Sequence, residues 1–273
     1  MQKLFALLTA LLLILAAIPG LAEDGMHQLH LDVEFDRNII MARYDVDVLV
    51  NGEAVAFIEH GQFLDTTVSV PEGMCTITFQ KAGKPGVSVS TIIGVNRDTE
   101  VTCEIHANLK DLEFRSFQTN CTPDAYCLDK GETVDLDGIV LSVTSHRIAD
   151  SYNGAFPAPG KVYVICQAEF RNNTSEDSTI VAVLSAMSFD VCCDDAETDA
   201  IWSAMYGLNG EISVGSLFSV LERLTQNSEV IRPGKKAIIE LVFEVPEDWK
   251  VLEVYYAHKL IAAGEVIFIV NND

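Results

Sequence analysis

Positive charge is scarce in this chain. Its 273 residues carry 18 Lys and Arg against 40 Asp and Glu, a formal net charge of −22. A surface of that sign repels nucleic-acid phosphates and anionic lipid headgroups, so no nucleic-acid partner is expected. Catalytic signatures are missing too. There is no Cys-x-x-Cys, which argues against a thioredoxin-type site or a zinc ribbon. His-Glu-x-x-His, Gly-x-Ser-x-Gly and Ser-x-x-Lys are also absent, which removes the usual zinc-protease and serine-nucleophile arrangements. The Gly-Lys pairs at Gly83, Gly160 and Gly234 lack the remaining residues of a phosphate loop and read as turns. The six histidines are scattered. His27 and His30 near the start are either a weak metal clasp or a solvated tail. No cofactor is implied.

Long apolar runs are also few. One covers Leu4 to Ile18, preceded by Lys3 and broken by Pro19-Gly20, with small residues through Ala22. This is the pattern of a secretory signal over residues 1–22. The run is shorter than the roughly 20 residues of a spanning helix. The expectation is an extracytoplasmic, secreted chain, with a membrane attachment only through this segment if it is retained. No cysteine stands immediately after residue 22, which argues against a lipid anchor.

What the sequence has in abundance is period-two alternation. In "HLDVEF" Leu31, Val33 and Phe35 alternate with polar residues, and in "DVDVLV" Val46, Val48 and Val50 take every second position, with Asp45 and Asp47 among the others. Such runs are half-buried strands. Asn51-Gly52 follows directly and predicts a tight hairpin, because both residues tolerate positive φ. Short strands and turns continue to about residue 108, predicting a small β-sandwich over 23–108. Residues 109–130 read as a linker with a strand in "LEFRSF". A second β-sandwich is predicted over 131–273, interrupted by an insert at 194–226. In that insert Leu217, Val220, Leu221 and Leu224 fall at helical spacing. The fold class is therefore all-β, two immunoglobulin-like sandwiches with a short helical insertion.

Seven cysteines follow the signal, an odd number, so at least one is unpaired within the chain. Candidate bridges are Cys75 with Cys103, Cys121 with Cys127 across a short loop, and Cys166 with Cys193, leaving Cys192. Alternatively, several are small buried hydrophobes. Asp190, Asp194, Asp195, Glu197 and Asp199 form an acidic cluster. Asp194, Asp195, Glu197 and Asp199 are weak calcium candidates, without the spacing of a calcium loop. Trp202, Met205, Tyr206, Leu217 and Phe218 on the insert are a candidate partner surface. The alternative is that the insert caps one end of the sandwich.

"GIVLSVTSHRI", then a strand ending in Arg171-Asn172-Asn173, then Pro233-Gly234-Lys235 leading into Val242-Phe243-Glu244-Val245-Pro246, resembles the DUF4352-type, telokin-like immunoglobulin-fold domain of exported bacterial proteins. The resemblance covers about residues 131–270, and the long insert and the cysteines depart from it. The first unit faintly resembles small Ig-like or PEGA-type repeats through "DVLVNGEAVAF" and "VPEGMCTITF". The resemblance implies a sandwich, an envelope or secreted setting and no catalytic residues. In "VIRPGKKAIIELVFEVPED" Ile239, Leu241, Phe243 and Val245 are expected on one buried face. Ile238, Glu240, Val242 and Glu244 are expected on the other, partly solvated. The resulting functional expectation is a non-catalytic binding or adhesion-type protein whose partner is an unknown protein or envelope component. The alternatives are a structural spacer, or an enzyme, inhibitor or calcium module using the insert.

Overall fold

Alternation becomes strand pairing along most of the chain. The computed structural model describes residues 25–35, 45–108, 111–152, 154–179, 188–194, 196–197, 200–206, 212–215, 230–258, 260–262 and 265–272. Of residues 179, 188–190, 196–197, 200–206, 212–215 and 230, the backbone alone is described. Residues 1–22, expected to be a secretory signal, lie outside the described residues.

The first part holds β1 (Met26–Phe35), β2 (Val46–Val50), β3 (Glu53–Ile58), β4 (Phe63–Pro71), β5 (Gly73–Lys81), β6 (Ser88–Val95), β7 (Thr99–Ala107) and β8 (Leu112–Thr119). They form two sheets, β4-β1-β7-β8 and β3-β2-β5-β6. Leu29, Leu31, Val33 and Phe35 of one sheet and Val46, Val48, Ile77 and Phe79 of the other share a single core. Burying each such side chain stabilises by about 1.5–3 kcal/mol. The hairpin between β2 and β3 turns at Asn51 and Gly52, both at positive φ. The Asn51 side chain accepts the Thr76 N–H at 2.9 Å, tying that turn to β5. His27 and His30 are not in a solvated tail. They lie within β1, opposite Val70 and Thr67 of β4.

The second part begins with a 3₁₀ turn (Pro123–Tyr126) and continues through β9 (Cys127–Asp129), β10 (Val134–Leu136), β11 (Ile139–Ala149), β12 (Lys161–Asn172), β13 (Ser178–Thr179), β14 (Ser188–Cys193) and β15 (Ala196–Glu197). It then runs through β16 (Ala200–Tyr206), β17 (Ile212–Gly215), β18 (Val230–Ile231), β19 (Lys236–Pro246), β20 (Val251–Ala257) and β21 (Glu265–Asn271). A six-stranded sheet, β10-β11-β12-β19-β16-β17, faces a five-stranded sheet, β15-β14-β20-β21-β9, and β13 pairs with β18. Leu141, Val164, Phe170, Phe243, Tyr256 and Phe268 belong to the core between them.

Two expectations change. The stretch 109–130 is not a free linker: β8 pairs with β7, and β9 adds in parallel to β21. "LEFRSF" is strand, as read, and the pairing of β9 with a distant strand is a non-local contact that no local pattern announces. The chain passes close to β6 here. A Cβ on Gly94 would lie 2.1 Å from the Ala125 carbonyl oxygen, so only glycine fits. The insert, expected as a short helical insertion, is strand where it is described. β16 pairs with β19, Trp202 opposite Val242 and Met205 opposite Ile239, and β17 pairs with β16. Its aromatic and β-branched residues suit a strand, but the acidic run before them hides it. Of the expected helix, Gly215 ends β17 and the remainder lies outside the described residues. Among the described residues there is no α-helix.

The two parts meet at β6. Ile92 donates its N–H to the Leu260 carbonyl at 2.6 Å and accepts the Ala262 N–H at 2.8 Å. The Thr91 hydroxyl also donates to the Leu260 carbonyl. This segment occupies part of a sheet edge that would otherwise offer unpaired backbone groups.

Candidate functional site

β19 runs between β12 and β16. Ile239, Leu241, Phe243 and Val245 enter the core as expected. The opposite face departs from expectation: Glu240 and Val242 are buried, not partly solvated. The cause is the connection between β11 and β12, which folds back over this face. Tyr152 packs there with Tyr163, Ile165 and Val242. Its hydroxyl donates to Glu240 Oε2 at 3.0 Å. The Arg147 guanidinium lies 3.4 Å from Glu240 Oε1, with the carboxylate side chain 3 % exposed and the arginine 51 %. A buried carboxylate without partners would be strongly unfavourable, so these two contacts are what let Glu240 sit there.

The loop is closed by its own backbone. Tyr152 and Ala155 exchange N–H···O bonds of 2.9 Å in both directions, with Gly154 at φ 81°. Pro157 and Pro159 then restrict the chain before β12. Phe156 follows the closed turn directly, and it is 76 % exposed, with Ile148 at 49 %. Phe156 is thus a large aromatic held in water on a loop anchored through Tyr152. The sequence signal is "YNGAFPAPG", an aromatic among turn residues, whose composition alone announces only a turn.

The Arg171-Asn172-Asn173 and Pro233-Gly234-Lys235 segments meet beside this sheet. Lys235 N–H closes the turn on the Arg232 carbonyl at 2.9 Å, and Gly234 N–H reaches the Asn172 carbonyl at 2.7 Å. The Asn172 amide donates to the Ile231 and Glu176 carbonyls, and its oxygen accepts the Thr174 N–H and hydroxyl. Asn172 is fully buried, so these residues work as a structural knot.

A cavity of about 400 Å³ is lined by Asp194, Asp248, Lys250, Val251 and Glu253. Asp194, at φ 48°, accepts the backbone N–H groups of Lys250 and Val251 on its carboxylate. It therefore caps the start of β20. Of the other calcium candidates, Asp195 and Asp199 lie outside the described residues, as do the side chains of Asp190 and Glu197. Among the described residues no group of three or more His, Cys, Asp or Glu converges as a metal site. Of the expected partner surface, Trp202, Met205 and Tyr206 lie on β16, and Leu217 and Phe218 lie outside the described residues.

Cys75, Cys103, Cys121, Cys127, Cys166 and Cys193 are free thiols in this structure. Cys75 and Cys103 share the first core, and Cys166 and Cys193 share the second. Burial pushes the Cys75, Cys103 and Cys166 thiols up to about 12, and Cys193 up to about 11 with help from Asp194, Cys192 and Asp248. Thiols so raised are poor nucleophiles near neutral pH. His146 lies directly across from Cys166 on β12, with Lys130 Nζ 3.3 Å from its Nδ1 and the Trp249 ring edge-on at 5.8 Å. Cys166 itself is fully buried, so a Cys–His pair here has no access to substrate.

No protein-family model matches the chain, and no curated protein matches it. Two solved structures are similar. One is an uncharacterized β-sandwich protein from Clostridium difficile 630, at 9 % identity and TM-score 0.35, covering 54 % of this chain and 93 % of that one. The other is a conserved hypothetical protein from Bacillus anthracis, at 14 % identity and TM-score 0.29, covering 46 % of this chain and 87 % of that one.

Proposed function

We propose that this chain is a non-catalytic, extracytoplasmic binding protein built of two immunoglobulin-like sandwiches. Its contact surface is the β11–β12 loop. The observation that carries the reading is Phe156, held in solvent by a loop whose Tyr152 is fastened to buried Glu240. The apolar stretch Leu4 to Ile18 supports export, and the Asn172 knot joining the two motif segments fits the DUF4352-type resemblance. The partner is a protein or envelope component. With a chain this acidic, a cationic surface around the Phe156 contact is favoured.

The test is recovery of envelope partners by the exported chain, compared with its Phe156→Ser variant. An exposed aromatic anchor is worth about 2 kcal/mol or more at an interface, so recovery falls by roughly 30-fold. Equal recovery by both forms, or no saturable partner, overturns the loop as contact surface. Cell fractionation checks export separately, and a cytoplasmic chain contradicts it.

A further inference from the structure

The cysteine pairing expected from the sequence joined Cys121 to Cys127. The structure points Cys121 elsewhere. Its Sγ lies 3.0 Å from the Gly94 carbonyl oxygen of β6. Gly94 follows Ile93, and Ile93 is the residue directly across from Cys75 on β5. Cys121 packs against the first core, where Cys75 is wholly buried, and also against the second. Cys127 is exposed, with its Sγ toward the Pro123 carbonyl. The Cys75 thiol is raised first by burial and then by Cys121.

We propose that Cys75 and Cys121 are an oxidation-sensitive pair that closes a disulfide between β5 and the connection leaving β8. The oxidant is a small-molecule disulfide, of the kind an oxidising compartment supplies. Half-buried Cys121 loses its proton and attacks one sulfur of the reagent, forming a mixed disulfide and expelling one thiolate. Cys75 then loses its proton and attacks Cys121 Sγ, forming the internal bond and expelling the second thiolate. Two protein thiols are oxidised as one reagent disulfide is reduced to two thiols. Because Cys75 is held up near 12, the second step is the slow one and accelerates as pH rises. The bond staples the junction where the two cores approach. It does not depend on the β11–β12 loop, so its failure leaves the binding reading standing.

The experiment incubates the full purified chain with oxidised glutathione, blocks remaining thiols in acid, digests without reduction and maps the peptides by mass spectrometry. The expected product is a linked pair of peptides containing Cys75 and Cys121, with two fewer free thiols than the seven of the reduced chain. Closure is faster at higher pH. It is abolished by Cys121→Ser and retained in Cys127→Ser. The wild-type map stands even if a variant folds poorly. Recovery of Cys75 as a free thiol, or a bond from Cys121 to Cys127 or from Cys75 to Cys103, overturns the proposal.

Discussion

The two parts of the chain treat their outer faces differently. In the first, β1 buries Leu29, Leu31, Val33 and Phe35 while Asp32 and Glu34 remain exposed, so one face is core and the other is solvated. In the second, β19 is buried continuously from Ile239 to Phe243, and a carboxylate falls within that run. The contrast shows that alternation tracks solvent rather than strand geometry. When a loop covers the outer face, the period-two pattern of burial disappears, and a polar residue there must find partners from the loop. Arg115 and Glu104 on the first sheet, 3.3 Å apart, are both substantially exposed. Glu240 and Tyr152 on the second are both buried.

The largest expected effect is common to both parts. Phe79→Ala in the first core and Phe243→Ala in the second each remove a ring with no solvent exposure. Each is expected to cost about 3–5 kcal/mol in urea unfolding. A loss below about 1 kcal/mol in either would show that the sheets do not close over that core. The contrast sharpens at the outer faces. Tyr152→Phe strips a hydrogen bond from a buried carboxylate and is expected to cost about 1.5–3 kcal/mol. Arg115→Ala on the first sheet is expected to cost no more than about 1 kcal/mol. Equal costs would erase the distinction between the covered and the solvated face.

The smallest effect concerns pH. Burial tends to raise the Glu169 carboxyl, but Lys236 at 2.7 Å and Arg171 at 3.0 Å outweigh it and hold its pKa below the ordinary value of 4.5. A lowered folded value means stability present above the unfolded pKa and lost as pH falls through the folded one. Lys236→Met is expected to raise the Glu169 pKa in an NMR titration. It also weakens stability above pH 4.5 by no more than about 1 kcal/mol, because both cations are half exposed. An unmoved titration contradicts the pairing.

Much of the strand pattern was legible because each inward residue announces its neighbour two positions away. β1 and β2 are examples, as are the Asn51-Gly52 and Pro233-Gly234 turns, whose local chemistry is complete in two residues. Two other features were not legible. β16 carries its aromatic residues after an acidic run, and only its partner β19 makes it a sheet strand. The burial of Glu240 depends on Tyr152, a residue 88 positions away. No local pattern records that contact. The β11–β12 loop is turn-rich in sequence, but that composition does not show which face it covers.

The direct test of the anchored loop is amide hydrogen exchange at Tyr152 and Ala155, whose N–H groups bond each other's carbonyls. The account predicts clear protection of both amides, falling by roughly 10-fold or more in Tyr152→Phe as about 1.4 kcal/mol or more of anchoring is lost. Exchange at both positions as fast as in an open loop, or protection unchanged in the variant, would contradict it.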